Sequence, residues 1–158
     1  MDARPIMNQY EIPLLEKTFF ESQTKQIDIA SDSINQLIEN KHLHSIFEAD
    51  QLKEFGIEAP KLFIGDIASG DKFFASNEDK LRLLSNLPTI LCVEMEGASV
   101  AQVCYEYGIP FTILRTISDS ADENAHVDFP SFIKKISSKY SVQIIKNIYN
   151  QFSNEQLS

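Results

Sequence analysis

The sequence predicts an α/β domain with parallel strands, and three features carry that prediction. Thr89, Ile90, Leu91, Cys92 and Val93 form a short continuous apolar run bounded by Pro88 and Glu94, as in a strand covered on both faces. Gly97, Val100, Ala101 and Cys104 then recur at helical spacing as a face of small residues, closed by Gly108 and Pro110. A second β-rich run begins at once with Phe111, Thr112, Ile113 and Leu114 and reaches Ile117. Strand, helix and strand with short links describe a βαβ unit, whose right-handed crossover pairs its strands in parallel.

The remaining elements read less sharply. Tyr10, Ile12, Leu14 and Leu15, then Thr18, Phe19 and Phe20, suggest an extended segment interrupted at Pro13. Ile27, Ala30, Ile34, Leu37 and Ile38 recur every three or four residues and predict an amphipathic helix to about Lys41, with Asp28 and Asp32 near its positive end. A shorter helix is expected over residues 46–55, and a strand over residues 62–69 after Gly56 and Pro60. Residues 77–87 read as a helix capped by Ser76 or Asn77 and stopped by Pro88. A long helix is predicted from about Ser131, with Ile133, Ile136, Tyr140, Ile144 and Ile148 on its apolar face.

Composition limits what this domain does. The 158 residues, 43% hydrophobic and 23% charged, suffice for one core, so a single unit over residues 1–158 is expected. The formal charge of -9 repels phosphate backbones and anionic membrane surfaces, so no nucleic-acid or membrane partner is expected. No run approaches the ~20 apolar residues that span a bilayer, and Met1, Asp2, Ala3, Arg4 and Pro5 do not make a secretory signal, so a cytoplasmic location is expected. Cys92 and Cys104 sit in apolar segments and read as buried thiols rather than a disulfide or zinc site. His42 and His44 read as decoration at a helix end, and His126 stays open. The abrupt start at Met1 reads as that of a fragment.

In open α/β sheets ligands bind beyond the carboxyl ends of the strands. The first predicted strand ends in Glu94, Met95 and Glu96, and the second in Arg115, Thr116, Ile117, Ser118 and Asp119. Parallel pairing brings Glu96, Arg115, Ser118 and Asp119 to one edge. Two carboxylates there suit glycosidic cleavage, one protonating the leaving group while the other stabilises a cationic sugar. The structural reading of the same residues makes Glu94 and Glu96 helix N-terminal acids and Asp119 a loop cap. No phosphate-binding glycine loop, HExxH or Gly-x-Ser-x-Gly elbow occurs.

Val93, Glu94, Met95, Glu96, Gly97 and Ala98, with Arg115, Thr116, Ile117, Ser118, Asp119, Ser120, Ala121 and Asp122, closely resemble the paired signature of the 5′-methylthioadenosine/S-adenosylhomocysteine nucleosidases, within the purine nucleoside phosphorylase superfamily. Ser69, Gly70, Asp71, Lys72 and Phe73 resemble that family's preceding motif. The resemblance implies a three-layer fold with a central mixed sheet flanked by helices, here lacking its N-terminal part. It implies that Asp119 protonates purine N7 with Ser118 supporting it and Arg115 beside them. Glu96 would accept hydrogen bonds from the ribose hydroxyls, with Met95 under the sugar and Glu94 close by. Phe73 would stack on the base, the backbone of Phe74 would read its edge, and Phe129 would close the apolar side. Ile6, Met7, Pro13 and Leu14 would line a partner's pocket across a homodimer interface, with simple packing as the alternative. No cofactor or metal is implied.

The first expectation is therefore hydrolysis of 5′-methylthioadenosine or S-adenosylhomocysteine to release adenine. The alternatives are a phosphorylase of the same superfamily, or a truncated, inactive nucleoside-binding or dimerising module. The acidic residue that orients water in the family is expected to precede Met1.

Overall fold

The computed structural model describes residues 8–39, 43–72, 76–118 and 125–155, with backbone alone at residues 43, 44, 125–128, 154 and 155. Seven α-helices and two strands are formed among them: α1 (Thr24–Glu39), α2 (Leu43–Ile46), α3 (Ala49–Glu54), β1 (Asp66–Ser69), α4 (Asn77–Asn86), β2 (Ile90–Glu94), α5 (Gly97–Glu106), α6 (Ala125–Phe132) and α7 (Ser138–Glu155). A π-helical stretch, Ile133–Ser137, joins α6 to α7.

Periodicity placed most of the helices correctly. α1 buries Ile29, Ala30, Ser33, Ile34 and Leu37. Ser33 was missed because it is polar, yet it is fully buried. Its hydroxyl donates to the Ile29 carbonyl at 2.8 Å, which satisfies it inside its own helix. The Ser33 carbonyl accepts from Asn147 Nδ2 at 2.9 Å and ties α1 to α7. The expected helix over residues 46–55 is split into α2 and α3. Ser76 caps α4 by accepting from Asp79 N–H at 3.2 Å.

Three expectations are corrected. Residues 8–20 are not extended: an isolated antiparallel bridge joins Ile12 to Lys17, and Tyr10, Leu14 and Glu16 take positive φ of 65°, 68° and 52°. Pro13 at the start of this tight loop disrupts a ladder that β propensity alone favoured. The final helix begins before Pro130, at Ala125. Proline removes one N–H bond, but the continuing ladder and the buried face beyond it hold the helix together. The π stretch also shifts that face, so Phe132, Ile136, Tyr140 and Ile144 are buried while Ile133 is 42% exposed.

The third correction concerns the sheet. β1 and β2 pair in parallel, with Ile67 opposite Cys92, Ala68 opposite Val93 and Ser69 opposite Glu94. Their crossover contains α4, so the βαβ unit precedes the one predicted. Residues 111–117, expected to be the partner of β2, carry no strand among the described residues. Their composition favours a strand, but pairing needs a neighbour with free ladder groups in register, which propensity does not supply. The segment is held through side chains instead: Gln23 Oε1 accepts the Phe111 N–H at 3.0 Å, and Arg115 reaches the end of β2.

The core lies among the helices. Ile34, Leu37, Phe47, Leu52, Phe132, Ile136, Tyr140 and Ile144 form one cluster between α1, α2–α3 and the C-terminal helix. Phe55 meets Phe132 edge-on at 5.5 Å, and Lys135 Nζ lies 2.5 Å from Glu54 Oε1 over this contact. The sheet layer is far more open, with Phe63, Ile64, Leu91, Val103 and Tyr107 exposed. Cys92 and Cys104 are half-buried free thiols rather than fully buried ones. No described helix is long and apolar enough to cross a membrane.

Ile136 is 2% exposed at the centre of the cluster. Ile136→Ala is expected to lower stability by about 2–5 kcal/mol, read as a shift in the urea midpoint with an unchanged slope.

Candidate active site

β1 and β2 end side by side, and their last residues build the site. Glu94 closes β2, and two residues then lead into α5. The turn folds the first N–H groups of α5 back toward the Glu94 side chain: Oε2 accepts from Glu96 N–H at 3.0 Å and from Gly97 N–H at 2.7 Å. A carboxylate is favoured there because helix N-termini present unpaired donors and a positive dipole end. Gly97 makes the approach possible, since a Cβ at that position would lie 2.8 Å from Glu94 Oε1.

Three side chains complete the cluster. Ser69, opposite Glu94 in register, donates its hydroxyl proton to Glu94 Oε1. Arg115 donates to Glu94 Oε2 and, at 2.5 Å, to Glu96 Oε2. The side chain of Glu94 is only 6% exposed, that of Arg115 is 34% exposed and that of Glu96 is 70% exposed. Burial pushes the Glu94 carboxyl up, but the bonds from Ser69, Arg115 and the backbone of Glu96 and Gly97 outweigh it and hold the group at about 2. Arg115 is displaced upward from its ordinary value: burial opposes its charge, and the two carboxylates more than restore it. The Cys92 thiol is pushed up by burial and by the charge of Glu94, which makes it a poor nucleophile.

Of the predicted convergence of Glu96, Arg115, Ser118 and Asp119, the meeting of Glu96 with Arg115 is formed, and Glu94 joins it. Glu94 has both oxygens engaged by the protein, with two of the bonds coming from the start of α5. Glu96 differs: its carboxylate stands open at the edge of the sheet. Met95, between them, is 45% exposed. Ser118 is half-buried at the end of the segment that carries Arg115, and Phe129 is 39% exposed on α6. Asp119, Phe73 and Phe74 lie outside the described residues, as do Ile6, Met7 and His42. Pro13 and Leu14 form the exposed tip of the N-terminal loop. The described residues hold no group of His, Cys, Asp and Glu arranged for a metal ion.

Ser69 and Gly97 are the members of the cluster that spacing alone missed. The available signal was their position, one closing a strand and the other opening a helix, but it has force only once β1 is known to neighbour β2.

An α/β chain with this acidic, arginine-bridged strand end belongs to the phosphorylase superfamily, whose sequence profile matches residues 21–149. Within it, the chain is similar to the 5′-methylthioadenosine/S-adenosylhomocysteine nucleosidase of Shewanella sp. (strain W3-18-1), 43% identical over 75 residues that cover 48% of this chain and 32% of the relative. The solved nucleosidase of Helicobacter pylori, bound to butyl-thio-DADMe-Immucillin-A, matches with a TM-score of 0.62 and 34% identity over 89% of this chain and 50% of the other. Futalosine hydrolase of H. pylori matches similarly, with a TM-score of 0.61 and 33% identity over 89% and 50%. The chain thus spans about half the length of the solved relatives it matches.

Two outcomes follow from the Glu94 clasp. The folded carboxyl titrates near 2 and an ordinary one near 4.5, so its stabilisation is complete above about 4.5 and is lost as pH falls toward 2. Glu94→Gln is expected to cost about 3 kcal/mol at neutral pH and to flatten the acid limb, as measured by urea unfolding across pH. Gly97→Ala is expected to cost about 1–2 kcal/mol despite the better helix propensity of alanine, because the added methyl displaces a carboxylate from several bonds. Titration of the Glu94 carboxyl by NMR should show it rising in Gly97→Ala.

Proposed function

We propose that this site hydrolyses the N-glycosidic bond of a 5′-thio-substituted adenosine, 5′-methylthioadenosine or S-adenosylhomocysteine, and releases adenine. The observation that carries the reading is the open Glu96 carboxylate, held by Arg115 at the carboxyl edge of a parallel sheet. Glu94 and Glu96 carry two negative charges and Arg115 one positive, so the cluster retains a net charge of -1. That residual charge suits a ribosyl group that becomes cationic as the bond to the base breaks. Glu96 has acceptor capacity for the sugar hydroxyls, whereas Glu94 has spent its own on the protein.

Asp119 follows directly on the segment that Arg115 ties to the glutamates. In this reading its carboxyl gives a proton to purine N7, so that the base leaves neutral, and Ser118 supports it. Met95 lies under the sugar, Phe73 and Phe74 receive the base, and Phe129 closes the apolar side. The similarity to nucleosidases supports the reaction class, and the similarity to futalosine hydrolase keeps other 5′-substituted purine nucleosides within the substrate class. A homodimer is the assembly that the family signature of the sequence implies, and the cytoplasm is the compartment expected from the sequence.

The test is turnover of 5′-methylthioadenosine, with and without phosphate, by the protein extended upstream of Met1 to include the water-orienting acid that the family resemblance implies. Free adenine and a reducing sugar are expected in both conditions, with a loss of about 10²-fold or more in Asp119→Asn. Turnover that requires phosphate and yields a sugar 1-phosphate would replace hydrolysis by phosphorolysis. Nucleoside binding without any release of adenine would establish a binding module instead.

A further inference from the structure

We propose that Ser69 is a positioning residue that fixes the Glu96 carboxylate through Glu94 and Arg115, a role that rests on the nucleosidase reading of the site. Ser69 is the last residue of β1 and lies opposite Glu94 in register. A serine hydroxyl has one proton to donate and lone pairs to accept with. Here the proton goes to Glu94 Oε1, while the oxygen accepts the Ala98 N–H at 2.8 Å. One small side chain thereby joins β1, β2 and the first turn of α5.

The consequence passes along the cluster. With Oε1 of Glu94 committed to Ser69, Oε2 faces the Glu96 and Gly97 N–H groups and Arg115. Arg115 Nη2 is thus held by a carboxylate that cannot rotate freely, and the same nitrogen donates to Glu96 Oε2. The second oxygen of Glu96 has no protein partner among the described residues, in a side chain that is 70% exposed. It is the acceptor left for a sugar hydroxyl. Without the Ser69 proton, Glu94 is held at Oε2 alone and its plane is free to turn, so Arg115, and through it Glu96, loses a partner of fixed position. Preorganised acceptors bind hydroxyls without a reorganisation cost, so the effect should appear on the sugar hydroxyls rather than on the base.

Calorimetry on the full 158-residue chain distinguishes this role from plain scaffolding. The dissociation constants of 5′-methylthioadenosine and its 2′,3′-dideoxy analogue are compared in the parent, Ser69→Ala and Ser69→Thr. Ser69→Ala is expected to reduce the preference for the hydroxyl-bearing nucleoside about tenfold, and Ser69→Thr to retain it. Equal weakening toward both nucleosides, or an unchanged preference, overturns the proposal. NMR titration of the Glu94 carboxyl provides a readout independent of ligand: it should rise in Ser69→Ala and stay low in Ser69→Thr, and a carboxyl unmoved by Ser69→Ala overturns the proposal. Should Ser69→Ala not fold, Ser69→Cys, a weaker donor in the same place, carries both comparisons. A parent chain that binds neither nucleoside overturns the nucleosidase reading; the hold of Ser69 on Glu94 is then decided by the titration.

Discussion

The Glu94 carboxylate is the point on which the arrangement at the edge of the sheet depends. It ends β2, receives the first N–H groups of α5, takes the proton of Ser69 from β1, and holds Arg115 from the segment that follows α5. Three stretches of chain that are distant in sequence, at Ser69, at Glu94–Gly97 and at Arg115, meet on two oxygen atoms. A buried carboxylate without such partners would be driven to take up a proton; this one stays ionised because every donor around it favours the charge. The geometry also explains why two glutamates separated by a single residue behave so differently. The inner one is consumed by the fold, and the outer one stays exposed.

Stability and site are drawn from different layers. The dense apolar cluster lies between α1, α2–α3 and the C-terminal helix, where Phe132, Ile136, Tyr140 and Ile144 form one stripe. The π stretch belongs to that layer, since it sets which residues of the helix face inward. The sheet layer contributes few fully buried residues, and its order at the carboxyl edge comes from hydrogen bonds and ion pairs rather than from apolar burial. Such interactions are directional, which suits a site whose task is to hold a few oxygens in fixed places. They also make it more sensitive to pH and to single-atom changes than the helical core is.

Much of the helical layer was legible in the sequence because burial imposes a period of 3.6 residues on any helix that packs by one face. The departures have local causes. Ser33 is polar but bonds to its own helix, so it is buried where an apolar count passes over it. The long helix was expected from about Ser131, yet one missing bond at Pro130 does not end a helix whose buried face lies beyond it. The meeting of Glu96 and Arg115 was also legible, because parallel strands put their carboxyl ends on one edge. It was reached through the wrong pair of strands, since residues 111–117 contribute Arg115 without joining the ladder.

By itself, the sequence determined the α/β class, the succession of helices, and the residue types gathered at the ends of β2 and of the segment carrying Arg115. The tertiary structure alone decided that β1 is the neighbour of β2, that Ser69 completes the clasp, and that Glu94 is occupied while Glu96 is open. The physical reason lies in range: propensity and periodicity report interactions between residues a few positions apart. Strand pairing, and the count of donors that reach a given carboxylate, are set by chain segments brought together only on folding.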